Sequence, residues 1–162
     1  MDNFKDIQNK INKDFGEGTA FVFGEGEALP NVDTIGTGSF GLDNACGGGI
    51  PRGRVTEFFG PPGCGKTTIS LHCIAEAQKL GLKAAFVDME HALDVNYAKK
   101  IGIDLTKLLI VQPEYAEAAL KIIEDLVRNE EFGIVVVDSV AAMTPKAEIE
   151  GDFGDSVSFD TP

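Results

Sequence analysis

Arginine, cysteine and histidine are all scarce in this chain, and each shortage excludes a class of protein. Only Arg52, Arg54 and Arg128 occur in 162 residues. That is too few to clamp the phosphates of two substrates, so a nucleotide kinase is disfavoured. Cys46, Cys64 and Cys73 are odd in number and show no C-x-x-C spacing. Reduced thiols in a cytoplasmic protein are expected, rather than disulfides or zinc ligands. His72 and His91 are too scattered to argue for a metal site. No apolar run is long enough to cross a membrane, and the N-terminus lacks an apolar signal region, so no membrane partner is expected. Neither Asn9-Lys10 nor Asn12-Lys13 has an Asp three residues after the Asn, so the guanine-reading N-K-x-D pattern is missing. There is no internal repeat and no low-complexity tract. A net charge of −12 argues against a generic basic nucleic-acid binder, although a local groove can be positive on an acidic body.

Against these absences stand 43% hydrophobic residues and a mean hydropathy of +0.01, enough for one soluble domain with a real core. The most informative run is GPPGCGKT, residues 60–67, which matches the phosphate-cradling pattern G-x-x-x-x-G-K-[ST]. Residues 55–59 (VTEFF) read as a buried strand before it. Residues 67–80 read as a helix after it, with Leu71, Ile74 and Ala75 at helical spacing. A strand, a glycine loop and a helix N-terminus aim backbone N–H groups and the positive end of a dipole at one point. Gly60, Gly63 and Gly65 free the backbone to curl round a phosphate. Pro61 and Pro62 stiffen the approach, and Cys64 faces or adjoins the anion. Lys66 is placed for the β- and γ-phosphates, and the Thr67 hydroxyl suits Mg²⁺. Residues 134–138 (IVVVD) predict a parallel strand buried on both faces, ending in Asp138, a carboxylate that holds Mg²⁺ through water.

The remaining chain alternates. Residues 4–15 predict an amphipathic helix with Phe4, Ile7, Ile11 and Phe15 on one stripe, followed by a short strand over 19–23. Residues 31–54 hold many glycines and predict loop, with a helical turn near 42–45. Strands over 83–88 and 108–111 alternate with helices over 95–101 and 114–129. The last helix sets Ala116, Ala119, Leu120, Ile123 and Val127 on one face, and pairs Glu117 with Lys121 and Glu124 with Arg128 on the other. The sum is an α/β fold with a parallel sheet flanked by helices. From the residues alone, ATP-driven motors, GTPases and small-molecule kinases all remain in play. Glu90, just past the second strand, is placed to polarise an attacking water, which favours an ATP hydrolase.

From about residue 34 to residue 156 the chain closely resembles bacterial and phage RecA recombinases. The runs that carry the likeness are TGSFGLD (37–43), GGGIPRGRVTEFFGPPGCGKTT (47–68), FVDMEHALD (86–94) and IVVVDSVAAMTPKAEIEGDFGDS (134–156). The last is far more specific than a phosphate loop, which marks only a superfamily. The resemblance implies an incomplete RecA-like P-loop ATPase core over 31–150 and an N-terminal helix–strand segment, 1–30, that docks on the next protomer of a helical homo-oligomeric filament. It implies ATP and Mg²⁺ as cofactors, with residues 60–68, through Thr68, on the nucleotide and Thr67 and Asp138 on the metal. Glu90 and Lys66 become the catalytic pair, and Asp94 and Tyr97 contact adenine, Tyr97 by stacking. Ser139 couples the nucleotide to the DNA loops. Residues Gly151, Asp152, Phe153, Gly154, Asp155 and Ser156 begin the first DNA-binding loop, so single- and double-stranded DNA are implied partners. A LexA-type repressor enters as a further candidate partner. The implied function is ATP-dependent homologous pairing and strand exchange in DNA repair. The competing readings are a RecA-fold helicase or regulatory ATPase, which share the phosphate loop but not the 134–156 run, and an inactive fragment retaining only nucleotide binding.

Two departures from the family pattern matter. RecA-like cores carry a strand between those of Lys66 and Asp138, a second DNA loop and basic residues that complete a neighbour's site; none occurs in these 162 residues. The chain by itself is therefore expected to be aggregation-prone and weakly active. Residues 156–162 (SVSFDTP) resemble the opening of an intein, in which Ser156 attacks the Asp155 carbonyl to form an ester. A divergent DNA loop cut at an arbitrary point is the preferred reading of the two.

Overall fold

The computed structural model describes residues 3–22 and 32–151. Phe23 and residues 152–162, with the DNA-loop and splicing readings placed on 152–156, lie outside the described residues. The chain divides into two units, 1–32 and 33–162.

In the first unit, helix α1 (Asn3–Phe15) forms as its apolar periodicity predicts. Gly16, at a φ of 108°, ends it. Beyond it the chain folds back without forming a strand over 19–22, which corrects that expectation. Asn12 takes up the backbone groups a strand partner would have satisfied. Its side chain accepts from the Ala20 amide at 2.7 Å and donates to the Ala20 carbonyl at 2.9 Å. Phe4, Ile7, Phe15 and Phe21 are exposed.

The second unit begins with a two-stranded antiparallel ribbon, β1 (Thr34–Ile35) with β2 (Ile50–Pro51), enclosing the short helix α2 (Phe40–Ala45). Then come α3 (Lys66–Lys79), β3 (Lys83–Asp88), α4 (Val95–Ile101), β4 (Leu108–Val111), α5 (Ala116–Arg128), β5 (Phe132–Asp138) and α6 (Lys146–Glu150). The main sheet is parallel with order β4-β3-β5. Its centre, β3, runs Lys83-Ala-Ala-Phe-Val-Asp and buries every residue after the first.

Two apolar layers sandwich this strand. Ala84 and Phe86 face Leu71, Ile74 and Ala75 of α3 and Ala98 of α4, while Ala85 and Val87 face Ala119 and Leu126 of α5. Alternation along a strand produces this division, and helices on both faces are what a parallel sheet requires. On β5, Ile134 and Val136 join the first layer, but Phe132 joins Val135 and Val137 in the second. A register shift between Lys83 and Ala84 turns Phe132 to the α5 side. It falls at Gly133, where a Cβ would sit 2.6 Å from Leu82. A reciprocal amide clasp fixes α3 to the α4–β4 connection: Gln78 donates to the Asp104 carbonyl at 2.9 Å and accepts the Asp104 amide at 2.8 Å.

Three expectations change. Residues 55–59 are not a strand: Val55 is fully exposed and Phe59 nearly so, and no described strand pairs with them. Strand β5 is half-buried along its whole length rather than buried on both faces, because among the described residues it has a neighbour on one edge only. On α5 the buried face is Ala119, Ile122, Ile123 and Leu126, leaving Leu120 and Val127 exposed. Arg128 pairs with Glu124 at 2.9 Å as expected. Lys121 turns instead to Glu124 and Asp125, freeing Glu117 to accept the Lys146 amide at 3.0 Å. No described helix is long and apolar enough to cross a membrane.

Candidate nucleotide site

The loop 60–65 ends at Gly65, whose φ of 96° only glycine adopts readily, and this turn launches α3. The first intrahelical bond runs from the Ile69 amide to the Gly65 carbonyl, 2.9 Å. The amides of Lys66, Thr67 and Thr68 thus precede the helical ladder, and no side chain caps the N-cap position. Donors without helical acceptors at the positive end of a fourteen-residue helix favour an anion. Lys66 lies back across the loop, its Nζ donating to the carbonyls of Gly60 at 3.0 Å and Pro61 at 3.2 Å. Cys64 is exposed, and a Cβ added at Gly60 would come within 2.8 Å of its sulfur.

The most telling contact spans seventy-one residues. The Thr67 hydroxyl donates to Asp138 Oδ2 at 2.6 Å, joining the first turn of α3 to the carboxyl end of β5. A hydroxyl and a carboxylate converging beside a phosphate loop are the hard oxygen ligands a small divalent cation takes. No group of three or more His, Cys, Asp or Glu side chains that could hold a metal gathers among the described residues, here or elsewhere. Magnesium commonly takes one or two protein ligands and completes its shell with water and phosphate, so this pair suffices.

Glu90 reaches the same region. Its Oε1 accepts from Ser139 Oγ at 2.9 Å, and Ser139 follows Asp138 across a cis peptide bond. On the other flank, Asp94 caps α4 by accepting the Asn96 and Tyr97 amides at 2.8 and 3.0 Å. The Tyr97 hydroxyl stands 3.5 Å from Thr68 Oγ1, which sets a partly exposed ring beside the phosphate-loop helix. The structure therefore brings Lys66, Thr67, Thr68, Tyr97 and Asp138 to one end of the sheet, with Glu90 held to the same strand exit. Gly151 lies exposed just beyond α6. A cleft of about 560 Å³ opens beside the loop, lined by Phe58, Phe59, Cys64, Lys66, Thr68 and Ile69. Neither Asp94 nor Tyr97 lines it, so it is distinct from the flank those two residues form.

Sequence reasoning missed Asp88 and Gln112. Asp88 is 2% exposed, yet it ends an apolar strand. A buried carboxylate must find donors, and that requirement was the available signal. Burial alone would raise its pKa. The hydrogen bonds from Gln112 and from the Ala92 and Leu93 amides outweigh burial, and His91 adds to them, so the group titrates below the ordinary carboxylate range. A depressed pKa contributes stability above the unfolded value, near 3.9, that is lost as pH falls through the folded value. Thermal melts of the wild-type chain and Asp88→Asn should therefore differ by a constant amount from about pH 8 to pH 5, and the gap should narrow progressively as pH falls below about 4. A gap that persists undiminished in acid would contradict this. Cys73 behaves oppositely: burial, with Asp43 nearby, pushes its thiol up to about 11 and makes it inert.

Comparisons with known proteins identify the family. The RecA N-terminal domain family matches residues 3–160. The chain is 58% identical over 149 residues to Protein RecA of Citrifermentans bemidjiense, covering 91% of this chain and 44% of that protein. To Protein RecA of Allochromatium vinosum it is 57% identical over 148 residues, covering 91% and 43%. To that of Azoarcus sp. it is 54% identical over 150 residues, covering 92% and 44%. The chain thus spans less than half the length of the curated relatives it matches. With a phosphate loop opening α3, Asp138 closing β5 and likeness along nine-tenths of its length, this chain belongs to the RecA family.

Proposed function

We propose that this chain supplies the ATP-binding portion of a DNA recombinase, a protein that polymerises on single-stranded DNA and promotes pairing with a homologous duplex. The observation that carries the reading is the Thr67–Asp138 contact at the mouth of the phosphate loop. In this reading Lys66 and the first amides of α3 bind the β- and γ-phosphates, and Thr67 and Asp138 hold Mg²⁺. When bound, the cation neutralises charge on the phosphate oxygens. Glu90 orients the attacking water and accepts its proton. Tyr97 stacks on the adenine beside Asp94. Residues 151–156 begin the contact with DNA, and segment 1–30 docks on the next subunit of the filament. Strong salt sensitivity of DNA binding follows if phosphate contacts dominate. A LexA-type repressor as a further partner rests on the family resemblance alone.

Thiol protection tests the nucleotide reading directly. Cys46 and Cys64 are exposed and Cys73 is buried, so two thiols should react with an alkylating reagent in the native protein. ATP with Mg²⁺ should slow the reaction at Cys64 at least about tenfold and leave Cys46 unchanged, since a ligand excludes the reagent in proportion to its occupancy. Equal labelling of Cys64 with and without nucleotide would overturn the assignment.

A further inference from the structure

We propose that Asp88 and Gln112 form a positioning unit that sets the placement of Glu90. The inference rests on the reading of Glu90 as the water-orienting carboxylate. Glu90 lies on the turn between β3 and α4, and Asp88 binds that turn at its closing side. Asp88 Oδ1 accepts the Ala92 amide at 3.2 Å, and Oδ2 accepts the Leu93 amide at 3.2 Å. The carboxylate thereby closes a loop of chain with Glu90 and His91 at its apex. His91 takes a φ of 52°, the only positive value among the described residues that are not glycine. From outside the turn, Gln112 Nε2 donates to Asp88 Oδ2 at 3.0 Å. Gln112 is the residue after Val111, which pairs with Val87 in the parallel register, so the sheet itself delivers its amide opposite Asp88. At the base of the turn the Met89 amide donates to the Asp138 carbonyl at 2.8 Å, tying it to the strand that carries the metal-site carboxylate.

The chemistry demands a carboxylate at position 88. Three donors converge on its two oxygens, and an amide in its place presents its own NH₂ to at least one of them. In Asp88→Asn one of the two turn amides, Ala92 or Leu93, loses its acceptor whichever way the side chain flips. Gln112→Leu leaves both turn bonds and removes only the outer support. Neither change touches the phosphate loop, so both should act on turnover rather than on nucleotide affinity. A misplacement of about 1 Å at a water-orienting group is enough to cost about 100-fold.

The test uses the full-length gene product and three measurements. Hydrogen–deuterium exchange over residues 89–93 should quicken about tenfold or more in Asp88→Asn and Gln112→Leu. The kcat for ATP should fall about 10- to 100-fold, with KM moving less than about threefold. In a Glu90→Gln background, Gln112→Leu should lower kcat no further, because a positioning residue has nothing left to position. A drop of equal size in both backgrounds would assign Gln112 a general structural role and overturn the proposal. Unchanged exchange over 89–93 in both variants would overturn it also. A parent protein that binds no nucleotide would instead sink the functional reading above, while the exchange measurement still decides whether Asp88 and Gln112 order the turn.

Discussion

Lys66→Ala should weaken binding of Mg²⁺·ATP by about 30- to 1,000-fold, corresponding to about 2–4 kcal/mol. The size of the loss is set by what the side chain touches. Among the described residues its Nζ donates only to the Gly60 and Pro61 carbonyls of its own loop, which are weak partners for a cation in an exposed setting. A polyphosphate offers that cation charged oxygens at the same place, and charge-assisted hydrogen bonds are about twice as strong as neutral ones. Those bonds exist only with ligand present, so the melting temperature of the free chain should hardly move. Lys66→Arg should recover little of the affinity, because a planar fork does not reproduce a compact ammonium at the mouth of a tight loop. Fluorescence titration with an ATP analogue would check both variants. Affinity within threefold of wild type in Lys66→Ala would refute the phosphate assignment.

Phe86→Ala should cost about 3–5 kcal/mol of folding stability. Phe86 is 1% exposed in β3, the strand that has neighbours on both edges among the described residues, and it packs against α3 and α4. Small domains have net stabilities of about 5–15 kcal/mol, and a sheet with half-buried β5 at its edge belongs near the low end. The variant should then be largely unfolded at 37 °C. Phe86→Leu keeps most of the volume and should cost only about 1 kcal/mol. Urea titration followed by circular dichroism would measure both losses. A loss below about 1 kcal/mol in the alanine variant would mean the core lies elsewhere.

The sequence told most where local pattern and tertiary environment agree. The bounds of β3, α4 and β4 follow from short apolar runs and helical spacing alone. The phosphate loop, Thr67 and Asp138 were legible because each residue type answers a chemical need at a fixed spacing. Residues 55–59 were misread for the opposite reason. VTEFF has strong strand propensity, but a strand requires a partner with free backbone groups, and propensity cannot report whether one is present. The face of α5 was misjudged because Leu120 and Val127 fit the helical period; the sheet meets the neighbouring stripe through Ile122 and Leu126. Asp88 left one signal, a carboxylate ending an apolar strand, but Gln112 left none, because their partnership is made across a sheet, between residues 24 apart.

The span of the Thr67–Asp138 contact has a thermodynamic consequence. Seventy-one residues separate its two ends, and 49 separate Ser139 from Glu90. No early, locally collapsed form of the chain can hold these groups together, since closing such loops is repaid only once the sheet between them has formed. A ligand that needs both ends therefore recognises native molecules alone. Its binding draws the folding equilibrium toward them by mass action, by about 2.7 kcal/mol at a hundredfold excess over Kd. The amount of nucleotide bound at saturation then counts the molecules still able to fold.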